Sequence, residues 1–542
     1  MRLRVVPLLA VLGLTAAAVV GARSAPLRQV PVSAPVRLPA AAVTPVTVCP
    51  GPETQLAPAG SQPLAGTGTT RVAAAVAHAP AGGRLTPLNP AASPAGATSP
   101  AGATSPAGAT SAADLAPATD SISVASTARS AAGAVRLDAK RAAAGPAAAG
   151  AVAVTSATQL TWGRSGDLRA LVATTCAGPV DDAWLVGGGT DDGRRARLLL
   201  ANPGAAPSVI DLTVLGPDGA RQPAAGQGVV VPAHAEIALY LDALTPRLSS
   251  LAVHVKARTG RFVAVLQDSL MRGITPGGVD DLSAVAPGRR QLLTGLVRKA
   301  PGSITVTVAV PGDRDAVVRV RLLGTEAGVD LPDGVVTVAA HSVKDVVLPA
   351  AVGDGTWTAA LTSDVDVVAS AMSWVTRPGG ENAGTAAGLG KQVPVSELAW
   401  SPAGAPLTGD VLLALPARTG SGANASPTLH AQLVLANGDD PDPSGTGADR
   451  AGDVVAVTLL AADGATATRS VTVATGRTVT LAVPDGTTAI RLAAGVAGAH
   501  LVGAVQLSAT DAAGPLLAVL PLRSGPGAAE PAPAVVPDPR LG

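Results

Sequence analysis

Aromatic side chains are almost missing from this chain: 542 residues carry five Trp, one Tyr and one Phe. A core without them must be filled by small and β-branched side chains, which suit a pleated sheet. Cysteine is as scarce, with Cys49 and Cys176 alone. Neither sign of charge is in excess. A formal net charge of +1 removes any electrostatic argument for nucleic acid or an anionic surface as partner. The signatures of common catalytic sites are also lacking: there is no HExxH, no GxGxxG and no GxSxG, and Gly163-Arg164-Ser165-Gly166 has the wrong spacing for a nucleophile elbow. No cofactor is therefore expected.

What is present points outside the cytoplasm. Arg2 and Arg4 precede an uncharged apolar run from Val5 to Gly21, and Val20-Gly21-Ala22 offers small residues for a signal peptidase. Residues 1–26 read as a signal peptide or signal anchor, the only expected contact with a membrane, because no later apolar run is long and uniform enough to cross one. Residues 27–44 form a Pro- and Ala-rich tether. In an exported protein an even cysteine count favours a disulfide between Cys49 and Cys176. A metal pair or a redox couple is the alternative, and the lack of CxxC spacing argues against both.

One strand series recurs three times. It begins as Leu198-Leu199-Leu200-Ala201-Asn202-Pro203 and runs to Ser269. It returns from Ile304 to Trp374 and again from Gln432 to Ser508. Repeats of this size mean tandem modules. Their period of two and their frequent turns predict an all-β chain of tandem immunoglobulin- or fibronectin-like sandwiches. The expected boundaries are 45–275 for the first unit, 285–378 for the second and 395–523 for the third, with a tail at 524–542. Three copies of Ser-Pro-Ala-Gly-Ala-Thr start at Ser93, and the stretch from about 80 to 133 is expected to be a disordered insert in the first unit.

The best candidate contact region is the loop from Asp181 to Gly193. It combines Asp181, Asp182, Trp184, Gly187, Gly188, Gly189, Asp191 and Asp192 beside the expected disulfide. An indole can stack on a sugar, although a single Trp on a strand is more often core. Paired Asp residues can hydrolyse glycosides or bind Ca²⁺, but Asp is also a common turn residue, and neighbours on an extended chain point apart. His234 and His341 sit at matching places in two repeats, where the third has Gly476; that exchange marks a turn position.

The run from Cys176 through Asp182-Ala183-Trp184-Leu185-Val186-Gly187-Gly188-Gly189-Thr190 to Asn202-Pro203, with Cys49-Pro50-Gly51-Pro52 upstream, resembles the actinobacterial exported proteins grouped as domain of unknown function 5719. The resemblance implies a place in the cell envelope and brings no catalytic residues. It also implies a context of envelope polysaccharide, through association with a large membrane glycosyltransferase. The resulting expectation is a non-enzymatic envelope scaffold or binding module, with a glycan or a membrane glycosyltransferase as partner. A carbohydrate-active enzyme using loop carboxylates and a calcium-dependent adhesion module are the alternatives.

Overall fold

Alternating side chains place successive residues on opposite sides of a strand. In Ser208–Gly216, Ile210, Leu212 and Val214 are buried while Asp211 and Thr213 are half-buried. The structure, a computed structural model, describes residues 45–51, 69–79, 81–90, 113–129, 133–140, 153–164, 166–273, 275–326, 328–376, 395–418, 427–439, 452–493, 500–511 and 513–524. The expected leader, tether, hexapeptide copies and tail beyond residue 524 lie outside them. Among the described residues the chain is nearly all β, and its sheets are antiparallel except where Asn89–Pro90 runs parallel to Ala235–Tyr240.

The recurring series is real, and it occurs four times rather than three. In the second sandwich one sheet has the order Asp182–Val186, Ala252–Thr259, Ser208–Gly216, and Val229–Val231 pairs with the last of these. The facing sheet has the order Thr275–Ser283, Val263–Arg272, Arg194–Asn202, Ala235–Tyr240. The fourth sandwich repeats this wiring: Asp410–Ala414, Thr487–Ala493, Asp453–Ala461 and Thr466–Val473 face Pro515–Pro521, Leu501–Thr510, His430–Asn437 and Arg477–Val483. In the third, the 22-residue strand Gly355–Thr376 serves both sheets. Its first half pairs with Gly288–Arg298 and Ala316–Leu323, and its second half with Ser303–Ala309 and Ser396–Pro402.

The first sandwich has the same order. Val46–Cys49, Val135–Ala139, Gly83–Pro87 and Ala113–Leu115 face Ala170–Thr175, Val154–Gly163, Thr69–Ala79 and Ala118–Arg129. The expected unit 45–275 is thus two sandwiches with separate cores, one around Val72, Val76, Leu137 and the disulfide, the other around Leu198, Leu212, Val253 and Phe262. The expected insert at 80–133 is corrected at both ends, where four strands occupy parts of it; 91–112 lies outside the described residues. The longest of these strands, Ala118–Arg129, is mostly Ala, Ser and Thr, and the others are short, so the apolar alternation that marks the other repeats is faint. Cys49 and Cys176 form the disulfide.

Two other boundaries move by one strand. Thr275–Ser283 closes the second sandwich, and Ser396–Pro402 closes the third. The first of these contains Pro276, Gly277 and Gly278, the composition of a linker.

These closing strands organise the molecule. Ala170–Thr175, Thr275–Ser283, Ser396–Pro402 and Pro515–Pro521 are the last strands of the four sandwiches, and each is an edge of its sheet. The first packs on the second, the second on the third, the third on the fourth, and the fourth on the first. No ladder joins them among the described residues. An edge strand left bare is a template for unwanted pairing, and here each edge is covered by the others. The first and fourth sandwiches also share a face. Ala73, Ala75 and Ala77 pack against Leu412, Ala414, Leu460 and Ala489, while Val72, Ala74 and Val76 on the same strand face the inner core. Burial on both sides explains the unbroken apolar run from Val72 to Ala77 in this strand, and Ala on its outer side allows close approach.

Candidate functional site

The register of one sheet builds a cleft. Asp182–Val186 lies beside Ala252–Thr259 with Trp184 opposite His254 and Asp182 opposite Lys256. Direct cross-strand neighbours are close enough to touch. Here the imidazole of His254 stacks on the Trp184 indole, with ring centroids 4.3 Å apart and planes 3° from parallel. His254 Nε2 lies 2.9 Å from Asp182 Oδ1, and Lys256 Nζ is 3.8 Å from Asp182 Oδ2. On the other side of His254 the register places Thr213.

The cleft has a volume of about 820 Å³. The second sandwich supplies Asp182, Thr213, Gln222 and His254 as polar lining, and His341 enters from the third. Pro287 and Pro311 add apolar walls. His341 Nε2 is held 2.7 Å from Asp313 Oδ1. The opening therefore offers a planar imidazole and several donors and acceptors over an apolar floor, the mixture that suits a polar ligand with apolar faces. Asp182 is the one carboxylate of the lining.

The loop expected to form the contact region divides. Asp182 and Trp184 line the cleft. Trp184 is 7% exposed and packs with Val186, Leu215, Val285, Ala309, Val343 and Val368, so most of its indole ties the second sandwich to the third. Asp181 is exposed, and its main-chain carbonyl accepts from the Ala257 N–H. Asp191 and Asp192 are exposed in the following turn and away from the cleft. Gly187, Gly188 and Gly189 are buried. At Gly187, φ is +117°, and a Cβ would meet the Trp400 ring at 2.6 Å. The glycine cluster is thus a close-packed crossing and not a flexible recognition loop, and it does not line the cleft.

Thr213, Gln222, His254 and His341 were not legible as site residues. Each stands alone in the sequence, and only strand pairing brings them together. His234 and His341 have φ near +52°, and Gly476 has φ +68°, as expected for a shared turn. His234 N–H donates to Gly204 O and Gly476 N–H to Asn437 O, so both turns dock on the chain at or just beyond the end of their repeat's first strand.

A further adjacent pair, Asp280-Asp281, lies in a strand with both side chains buried and not in a turn. Among the described residues, no three His, Cys, Asp or Glu side chains converge as a metal-binding set.

A family model described as a family of unknown function (DUF5719) matches residues 124–484. The chain belongs to this family. The match starts in the first sandwich, contains the second and third whole, cleft included, and ends in the fourth. No curated protein and no solved structure gives a significant match.

Proposed function

We propose that the protein is a non-enzymatic scaffold of the cell envelope that binds a glycan in the cleft between its second and third sandwiches. The observation that carries this reading is the lining itself. Asp182, Thr213, Gln222, His254 and His341 converge on one opening, although they come from separate strands and turns. Sugars are bound by such sets of hydrogen-bonding groups beside flat, weakly polar faces, here the imidazole and the two proline rings. A single lining carboxylate, already engaged by His254, supports binding over two-acid hydrolysis, which needs a second carboxyl group across the scissile bond. The Cys49–Cys176 disulfide fits an oxidising compartment outside the cytoplasm. An N-terminal signal or anchor would deliver the chain there and hold it near a membrane glycosyltransferase.

The reading is tested by calorimetry of the full-length protein with fragments of envelope polysaccharide. Binding that is lost in Gln222→Ala and weakened in His254→Ala supports it. Heat that is unchanged in both variants, or absent with every fragment, refutes the cleft as a glycan site.

A further inference from the structure

Carboxyl groups stand where the four closing strands meet. Asp280 lies on the second sandwich's closing strand and is fully buried; its Oδ2 accepts the Trp400 main-chain N–H of the third sandwich at 2.6 Å. Glu397, on the third sandwich's closing strand, is equally buried, and its Oε2 accepts the Leu171 N–H of the first at 3.1 Å. These are N–H groups of edge strands that have no ladder partner on that side. The contact is tight: a Cβ on Gly278 would lie 2.5 Å from Leu398 N and 2.8 Å from Glu397 Oε1. The other oxygen of Asp280, Oδ1, is buried without a hydrogen-bond partner.

We infer that the junction is a proton-held latch, in which neutral Asp280 and Glu397 fasten neighbouring sandwiches and loss of their protons loosens the sandwiches from one another. The surrounding charges support this. The charged side chains that act on Asp280 are both acids, Asp281 on its own strand and Glu397 across the junction. Asp281 is itself buried, takes hydrogen bonds from Thr174 and Gln267, and has Arg197 as its cationic neighbour. Asp268, on the adjoining strand, is occupied by Arg194 and Trp400. Glu397 feels Arg169, but that guanidinium is bound to Asp511 at 2.8 Å. Arg523, beyond the fourth closing strand, donates to Ala284 O.

Burial is the main cause that pushes both Asp280 and Glu397 well above their ordinary range; at Asp280 the N–H groups of Trp400 and Asp281 pull the other way, and at Glu397 the charge of Arg169 and the N–H groups of Leu171 and Leu398 do, and all are outweighed. The folded chain therefore holds protons that the unfolded chain has already released. The resulting stabilisation is full below the ordinary carboxyl range and is lost as pH rises through the raised values, by up to about tenfold in the folding equilibrium per pH unit and group.

The test is thermal unfolding of the full-length protein from about pH 4 to about pH 9, beside Asp280→Asn and Glu397→Gln, alone and combined; the loss sets in above the ordinary carboxyl range and ends at the raised values. Both amides keep an acceptor oxygen and cannot ionise. The wild type is expected to lose stability across this range, and the double variant to lose much less. Equal losses in both, or a flat wild-type profile, overturn the inference. Should a variant fail to fold, infrared difference spectra of the wild type decide: a protonated carboxyl band that persists above the ordinary carboxyl range is expected, and its absence there overturns the inference.

Discussion

Arg194→Met would leave a buried carboxylate without its cation. Asp268 is fully buried, and Arg194 grips it with two bonds, Nε to Oδ1 at 2.9 Å and Nη2 to Oδ2 at 2.8 Å. Its remaining donor is Trp400 Nε1 at 3.0 Å, which reaches across from the third sandwich's closing strand. Removing one partner of a buried pair usually costs about 3–5 kcal/mol. The surviving indole bond puts this case at the lower end, about 3 kcal/mol. Met keeps the apolar stem, so the loss is electrostatic and not a cavity. Adding Asp268→Asn removes the stranded charge and keeps an acceptor for Trp400; the double variant should recover to within about 1 kcal/mol of the parent. A chain of several sandwiches need not unfold in one step, so the assay is hydrogen exchange on peptides spanning 263–272 and 396–402, which reads local opening free energies. A single variant that loses less than about 1 kcal/mol, or a double variant as labile as the single one, would refute the reasoning.

Other substitutions probe separate contacts. Gly278→Ala, at φ +115° and against Leu398 N, should cost about 2–3 kcal/mol and lower the melting temperature; an unchanged melt would mean the strands are farther apart than described. Replacing Cys49 and Cys176 together by Ser opens a loop of 127 residues, which on the chain-entropy model removes about 5 kcal/mol, read as a lower denaturant midpoint in the oxidised comparison. His234→Gly should be neutral or stabilise by up to about 1 kcal/mol in the same denaturation assay, because the left-handed turn favours glycine; a clear loss would show that the side chain holds something.

Alternation of side chains is a local property, and it made the β class, the three clearest repeats and the turn role of His234 and His341 readable from the chain alone. The two cysteines pointed to a disulfide and an oxidising compartment in the same way. Only tertiary structure decided the rest. The first sandwich, the repeat not readable from the chain, hides in Ala-rich strands such as Thr69–Ala79, where both faces are buried and polar alternation is lost. Thr275–Ser283 has the Pro, Gly and Asp content of a turn, yet it is a buried strand because Gly lets the neighbouring strand come close and the Asp side chains accept hydrogen bonds. Glu397 meets Leu171 across 226 residues, and Gln222 meets His341 across a cleft between two sandwiches. Such meetings depend on how whole sheets pack, and no pattern along a strand records which edge another sheet will cover.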